Sequence, residues 1–340
     1  MAAAELPLTI ETVDYHTAGE PFRIVTAGLP EIAGRTILDR REAAGAEPFD
    51  RVRRLLCHEP RGHADMYGCF PVPPDDAQAD LGVLFWHKDG YSTACGHGTI
   101  ALATWAVESG RMPAEPDGST DVLIDVPSGR VLARVTCNSG RVTDVTFRNV
   151  GSWVSRLAVE VATARGPLSV DVAWGGAYYA CLAAADVGLS VNPRALPQLI
   201  ELSREIKAGL AGNEAVRHRD ERLSGLYGCI WFDPLPIGGP GRHQRNVTVF
   251  ADGEVDRSPC GSGTSARLAV LHARGQIAAG ESLRHDGIVG TTFVGRVVSE
   301  TVEDGRPTVV TEVTGQAFRT GEHRFSLDPR DPLGDGFTLR

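Results

Sequence analysis

A short pattern, Cys-Gly-x-Gly-Thr, occurs twice in this chain, and each copy opens a run that reads as a helix. ACGHGTIALATWAVESG (94–110) can be laid on PCGSGTSARLAVLHARG (259–275) without a gap. In both, an alanine-rich helical run follows the pattern. A glycine then closes it, Gly110 in one copy and Gly275 in the other, each suited to a helix C-cap. The repeat predicts two pseudo-equivalent halves, each presenting one cysteine, Cys95 or Cys260, at a helix N-terminus.

Around these helices the chain reads as short strands broken by turns. VLIDVPSGRVLARV (122–135) predicts a hairpin with Pro127, Ser128 and Gly129 at the turn. Asp-Gly pairs at 252–253 and 304–305 predict turns between further strands, and the closing GFTL is strand-like. Helices are expected over about 96–109, 193–211 and 261–274. With 340 residues, 39 Gly and 21 Pro, the chain suits a strand-rich globular protein of two domains.

A net charge of −9 argues against a general nucleic-acid binder, which needs clustered Lys and Arg. The RVRR run at 51–54 reads as a solvated loop or helix face. The start, MAAAELPLTIETVDYH, carries no basic flank or long apolar run, so no signal peptide is expected. No stretch approaches the ~20 apolar residues of a membrane span. Seven cysteines without a CxxC pair argue against a disulfide framework or a zinc ribbon, and a reducing cytoplasm is the expected setting. Cys57, Cys69, Cys137, Cys181 and Cys229 lack the glycine-rich loop and read as core.

The two remaining cysteines make a chemical argument together. A helix start leaves backbone N–H groups unpaired and carries partial positive charge. A thiolate there is stabilised, so each thiol is expected to ionise below its usual ~8.5. Glycines flanking His97 and Ser262 let a substrate carboxylate approach the same amides. Two such loops in separate halves suggest a cleft that grips a planar carbanion from both faces. One group removes a proton while its partner delivers one, so the pair holds one thiolate and one thiol and titrates as a unit. Such chemistry requires no metal or organic cofactor, and none is expected.

YHTAGEPFRIV (15–25), EPRGHADMYG (59–68), STACGHGTIA (92–101) and VDRSPCGSGTSAR (255–267) together resemble the proline racemase family. The resemblance runs from near the N-terminus to LDPRDPLGDGF. It implies an α+β, diaminopimelate epimerase-like fold: two similar halves, each wrapping strands around a central helix, with the site between them. The implied halves are 1–155, with 321–340 returning to it, and 156–320. By resemblance Cys95 and Cys260 are the acid/base pair, and His97 and Asp256 surround the substrate amine. The amides of Gly96, His97, Gly261 and Ser262 would bind its carboxylate. His63 and Asp65 belong to a segment that lines the cleft, whereas His16 and Glu20 read as structural. The partner implied is a small proline-like molecule, and the assembly a homodimer.

The family divides into proline racemases, 4-hydroxyproline 2-epimerases and trans-3-hydroxy-L-proline dehydratases. The dehydratases typically carry Thr at the second cysteine, so Cys260 favours a two-base epimerase, with 4-hydroxyproline preferred over proline. RGHADMYG and HKDGYSTACGH lean toward the dehydratase branch. From another class, a cyclic amino acid binding protein would keep the cleft without exchanging the α-hydrogen.

Overall fold

The computed structural model describes residues 9–236 and 242–339; residues 1–8, in which no leader was expected, fall outside it. The described residues include five α-helices: α1 (Ile37–Ala44), α2 (Phe49–Cys57), α3 (Gly96–Glu108), α4 (Leu196–Gly209) and α5 (Gly261–Ala273). Helices α3 and α5 are buried on every side, from Gly96 to Ala106 and from Gly261 to Leu271. A helix without a polar face must be enclosed. Strands Thr9–Thr17, Glu20–Ala27, Gly129–Asn138, Arg141–Arg148 and Ala317–Ser326 pack around α3. Trp153–Thr163, Gly166–Trp174, Tyr178–Ala183 and Thr292–Glu303 pack around α5.

The strands belong to one 18-stranded hydrogen-bonded sheet. Strand Arg306–Gly315 joins the two wrappings, pairing antiparallel with Arg141–Arg148 on one side and Thr292–Glu303 on the other. Ala317–Ser326 then pairs antiparallel with Thr9–Thr17, so strands from opposite ends of the chain lie side by side. Period-two patterning drives the wrapping. In Gly129–Asn138 the alternate residues Val131, Ala133, Val135 and Cys137 are buried in the core around α3. The hairpin at 122–135 closes with Val126 opposite Gly129, and Asp304 and Gly305 both take positive φ in theirs.

The three expected helices are present as α3, α4 and α5. Two short ones escaped the sequence reading because Gly45 and Pro48 interrupt any long period. Thr36 and Asp39 form a capping box at the start of α1. The RVRR run lies on α2 and is not wholly solvated. Arg53 is buried, paired with Asp50 at 2.6 Å and donating to the His87 carbonyl at 2.8 Å. The closing GFTL is not a strand; Phe337 makes one bridge to Glu59. All seven cysteines are buried and free. Among the described residues no helix is long and apolar enough to cross a membrane.

Helices α3 and α5 abut at their N-termini. A Cβ added to Gly96 would stand 2.5 Å from Gly261 Cα, and one on Gly261 would stand 2.7 Å from Gly96 Cα. Backbone meets backbone there, so neither residue can carry a side chain without moving a helix. Gly96→Ala is expected to lower stability by about 1–3 kcal/mol, as overpacking does. Urea denaturation checks this, and an unchanged midpoint would contradict the close approach.

Candidate active site

Cys95 and Cys260 stand at the abutting helix starts, and the Cys260 charge acts on the Cys95 thiol. Cys95 caps α3, and its Sγ accepts from Gly98 N at 3.2 Å, so an unpaired helix amide points at sulfur. His97 folds back on the same sulfur, with Nε2 at 3.4 Å. Cys260 occupies the matching place on α5 with a backbone φ of +60°. A non-glycine residue held there stores strain of about 1–3 kcal/mol, which persists only where neighbours impose it. Those neighbours are visible. Cys260 N donates to Ser258 Oγ at 3.1 Å, and Ser258 donates through N and Oγ to Asp256 Oδ1 at 2.8 and 2.7 Å.

Asp256 therefore acts through both oxygens. Oδ1 braces the Cys260 turn, while Oδ2 lies 3.7 Å from His97 Nδ1. His97 and Asp256, drawn from different ends of the chain, are both buried here. Ser262 is also buried, its hydroxyl 2.7 Å from that of Tyr179. Gly96, His97, Gly261 and Ser262 all stand in the first turns of the two helices.

Asp65 is buried. Its carboxylate accepts from Val255 N at 3.1 Å and from Arg257 at 2.8 Å, tying its loop to the segment that carries Asp256. His63 Nδ1 accepts from Asp65 N at 3.2 Å. Glu20 is fully buried and accepts from Arg257 N at 2.7 Å, while its other oxygen has no hydrogen-bond partner. Burial and the neighbouring Asp256 push the Glu20 carboxyl above the usual range. His16 Nδ1 accepts from Gly19 N in the exposed turn that follows.

Sequence reasoning missed the aromatic wall. Tyr67 packs its ring edge-on to His97 at 4.8 Å, and its hydroxyl lies 3.0 Å from that of Tyr227 and 2.5 Å from Ser92 Oγ. Tyr227 meets Tyr179 edge-on at 5.7 Å and stacks on Phe250 at 5.5 Å. Tyr179 Oη stands 3.8 Å from Cys260 Sγ. Phe22 meets His97 edge-on at 5.7 Å and stacks on Tyr67 at 6.3 Å. Among the described residues, His87, Asp89 and Glu254 could offer ligand atoms to a cation within 4.8 Å of one another. They are already engaged internally, His87 with Glu254 at 3.0 Å and Asp89 with Lys88 at 2.6 Å.

A family model described as proline racemase matches residues 12–338. The chain belongs to the proline racemase family. It is 44% identical over 329 residues to a trans-3-hydroxy-L-proline dehydratase of Bacillus thuringiensis subsp. konkukian, covering 96% of this chain and 97% of that one. It is equally 44% identical over 334 residues to a 3-hydroxyproline 2-epimerase of Burkholderia multivorans, covering 98% of both chains. The structure of a hydroxyproline epimerase from Agrobacterium vitis with bound trans-4-hydroxy-L-proline superposes with a TM-score of 0.90 at 32% identity, over 97% of this chain and 96% of that one. A PhzF-family protein of Bacillus anthracis shares the fold at a TM-score of 0.58 and 12% identity, over 94% and 99% of the two chains. The fold of this proline racemase family member is thus α+β and of the diaminopimelate epimerase-like kind.

The expectation of acidic thiols needs correcting. Burial pushes both Cys95 and Cys260 well above the ordinary thiol range, and the Asp256 charge pushes the same way. The amides of Gly98 and Gly263 oppose this without overcoming it. Burial likewise raises Cys57, Cys69, Cys181 and Cys229. Above ~8.5 the unfolded chain therefore releases thiol protons that the folded chain keeps, and stability is lost as pH rises. The urea midpoint is expected to fall steadily between pH 7.5 and 10 under reducing conditions. A midpoint that holds or rises over that window would contradict the buried, protonated thiols.

Proposed function

We propose that this protein is a cofactor-independent 2-epimerase of hydroxyproline that inverts the α-carbon by two-thiol proton transfer. The observation that carries the reading is the pair of cysteines at apposed helix starts, Cys95 on α3 and Cys260 on α5. One sulfur, as thiolate, takes the α-proton from one face. The other, as thiol, delivers its own proton to the opposite face, so the pair ends with charge and proton exchanged. The planar intermediate carries its charge on the substrate carboxylate. The amides of Gly96, His97, Gly261 and Ser262, in the first turns of the two helices, would hold that charge. Asp256 Oδ2 and His97 face each other at 3.7 Å, where the ring ammonium would lie. Trans-4-hydroxy-L-proline is the first substrate to try, since the Agrobacterium vitis enzyme binds it.

Dehydration of trans-3-hydroxy-L-proline is a second reading, favoured by the name of the Bacillus relative. Here Cys95 would take the α-proton, the C3–O bond would break, and the hydroxyl would leave as water after gaining a proton. The resulting enamine becomes the cyclic imine. The carbanion can expel a hydroxyl only from the adjacent carbon, so a 4-hydroxyl stays in place on either reading.

Incubation in D₂O with trans-4-hydroxy-L-proline, trans-3-hydroxy-L-proline and L-proline, followed by proton NMR, tests both. A C2 epimer bearing deuterium at Cα is expected from the 4-hydroxy substrate; imine from the 3-hydroxy compound without any epimer would select the second reading. Cys95→Ser and Cys260→Ser are each expected to abolish epimerisation. A Cys260→Ser protein that interconverts the stereoisomers at the normal rate would end the two-base mechanism.

A further inference from the structure

Positive charge is gathered at a place the thiol chemistry does not use. Arg267 stands on α5 two turns beyond Cys260, about 10 Å farther along the axis, and is only 3% exposed. Its guanidinium lies 3.7 Å over the Phe232 ring, and its Nε donates to Gln244 Oε1 at 3.0 Å. Both partners are neutral. Arginine is almost never so deeply buried unless an anion pairs with it. Among the described residues no carboxylate forms an ion pair with Arg267. Asp171 acts on it only through its field, because both Asp171 oxygens accept from Arg274, at 2.8 and 2.6 Å. Burial pulls the Arg267 guanidinium down to about 10, so it is charged at neutral pH against a desolvation cost. A helix C-terminus stabilises cations in its last turn, but Arg267 lies in the middle of α5.

The guanidinium lines a cavity of about 490 Å³, a volume suited to a small organic ligand. Arg242, Arg274 and His243 line it too, together with Asp171 and Asp186. Arg274 is matched by Asp171, and His243 by Asp286 at 2.7 Å. Arg242 donates to the Gln276 carbonyl at 2.6 Å and pairs with no carboxylate among the described residues. Arg267 and Arg242 thus share the cavity with one uncommitted carboxylate, Asp186, in a chain whose net charge is −9. Leu182, Leu235 and Leu271 supply apolar wall beside them.

We propose that this cavity is a second binding site, which takes a small organic oxyanion and pairs its carboxylate or phosphate with Arg267. The planar guanidinium fork suits such a group, holding two oxygens through parallel N–H bonds. With Nε engaged by Gln244, the two terminal nitrogens are the donors left for it. An anion there compensates the lone buried charge, the one interaction that the protein itself does not supply. Arg242, exposed at the rim, adds attraction, and the leucines take the ligand's apolar body. The inference is independent of the reaction assigned to the thiols.

Isothermal titration calorimetry at constant ionic strength tests this with benzoate, phenyl phosphate and inorganic phosphate. The first two carry the alternative head groups on one apolar body, and the third has no body. Each is titrated into wild type, Arg267→Met and Arg242→Ala. Wild type is expected to bind at least one organic probe more tightly than inorganic phosphate, and the tighter of the two identifies the head group. Methionine keeps an apolar stem against Phe232 and removes the lone charge, a change that buried ionic sites tolerate. Arg267→Met is expected to weaken binding of that probe about tenfold or more. Arg242→Ala is expected to weaken it about threefold, and decides the matter if Arg267→Met does not fold. An Arg267→Met protein that binds as wild type does would put the anion elsewhere, for example between the helix starts, and overturn the proposal. So would an Arg242→Ala protein of unchanged affinity, or a wild type that binds neither organic probe at millimolar concentration. Inorganic phosphate bound as tightly as both organic probes would overturn it too, since the walls would then hold no ligand body.

Discussion

The contact on which everything else depends is the meeting of two helix N-termini at Gly96 and Gly261. With no Cβ on either residue, the backbones approach closely enough to set Cys95 and Cys260 at the two meeting helix starts. Each helix start contributes unpaired amides, so their apposition concentrates donors and partial positive charge in one small volume. Two helices meeting head to head repel through their dipoles. The enclosing sheet opposes that repulsion, and strand Arg306–Gly315, which packs on both helices, holds them against one another. A region so preset is suited to a ligand that brings negative charge between the helices.

Burial sets the chemistry as strongly as the helix ends do. From the sequence, only the amides after each cysteine are visible, and they point toward an acidic thiol. The structure adds enclosure by Phe22, Phe147, Ile230 and the tyrosines around both glycine loops, and desolvation outweighs the amides. The physical reason is scale: a few oriented N–H groups offset part of the loss of bulk water around a thiolate, not all of it.

The central helices and their cysteines were legible because the information is local: Cys, two glycines and a threonine within five residues, followed by an apolar run. Asp256 was reached only through the resemblance, and its bracing of Ser258 shows only in the structure. The tyrosine wall was not legible. Tyr67, Tyr179 and Tyr227 sit in unrelated strands and meet only through sheet pairing, including the parallel register that sets Tyr179 opposite Gly228. Tyr178 and Tyr179 are neighbours in sequence, yet Tyr178 turns to the core around α4 and donates to the Arg217 carbonyl, while Tyr179 faces Cys260. Strand alternation demands that one of them face away, and nothing in the sequence says which. Arg53 makes the same point on a helix, since RVRR reads as solvated until the carbonyl of His87 is seen beneath it.

High thiol basicity and proton abstraction from carbon are connected. The α-hydrogen of an amino acid is a weak acid, and a base of low proton affinity would leave it in place. A thiol raised by burial gives fewer thiolates at neutral pH, but each is a stronger base. In the proposed reaction the substrate itself offsets the scarcity. Its ammonium enters opposite Asp256, whose charge is one of the forces holding both thiols protonated. Pairing that carboxylate removes the repulsion and lets one thiol give its proton up to water, leaving the single thiolate that the transfer needs. Ligand-free protein would then rest with both sulfurs protonated, inert toward electrophiles in the surrounding water, and basicity would be released only in the occupied site.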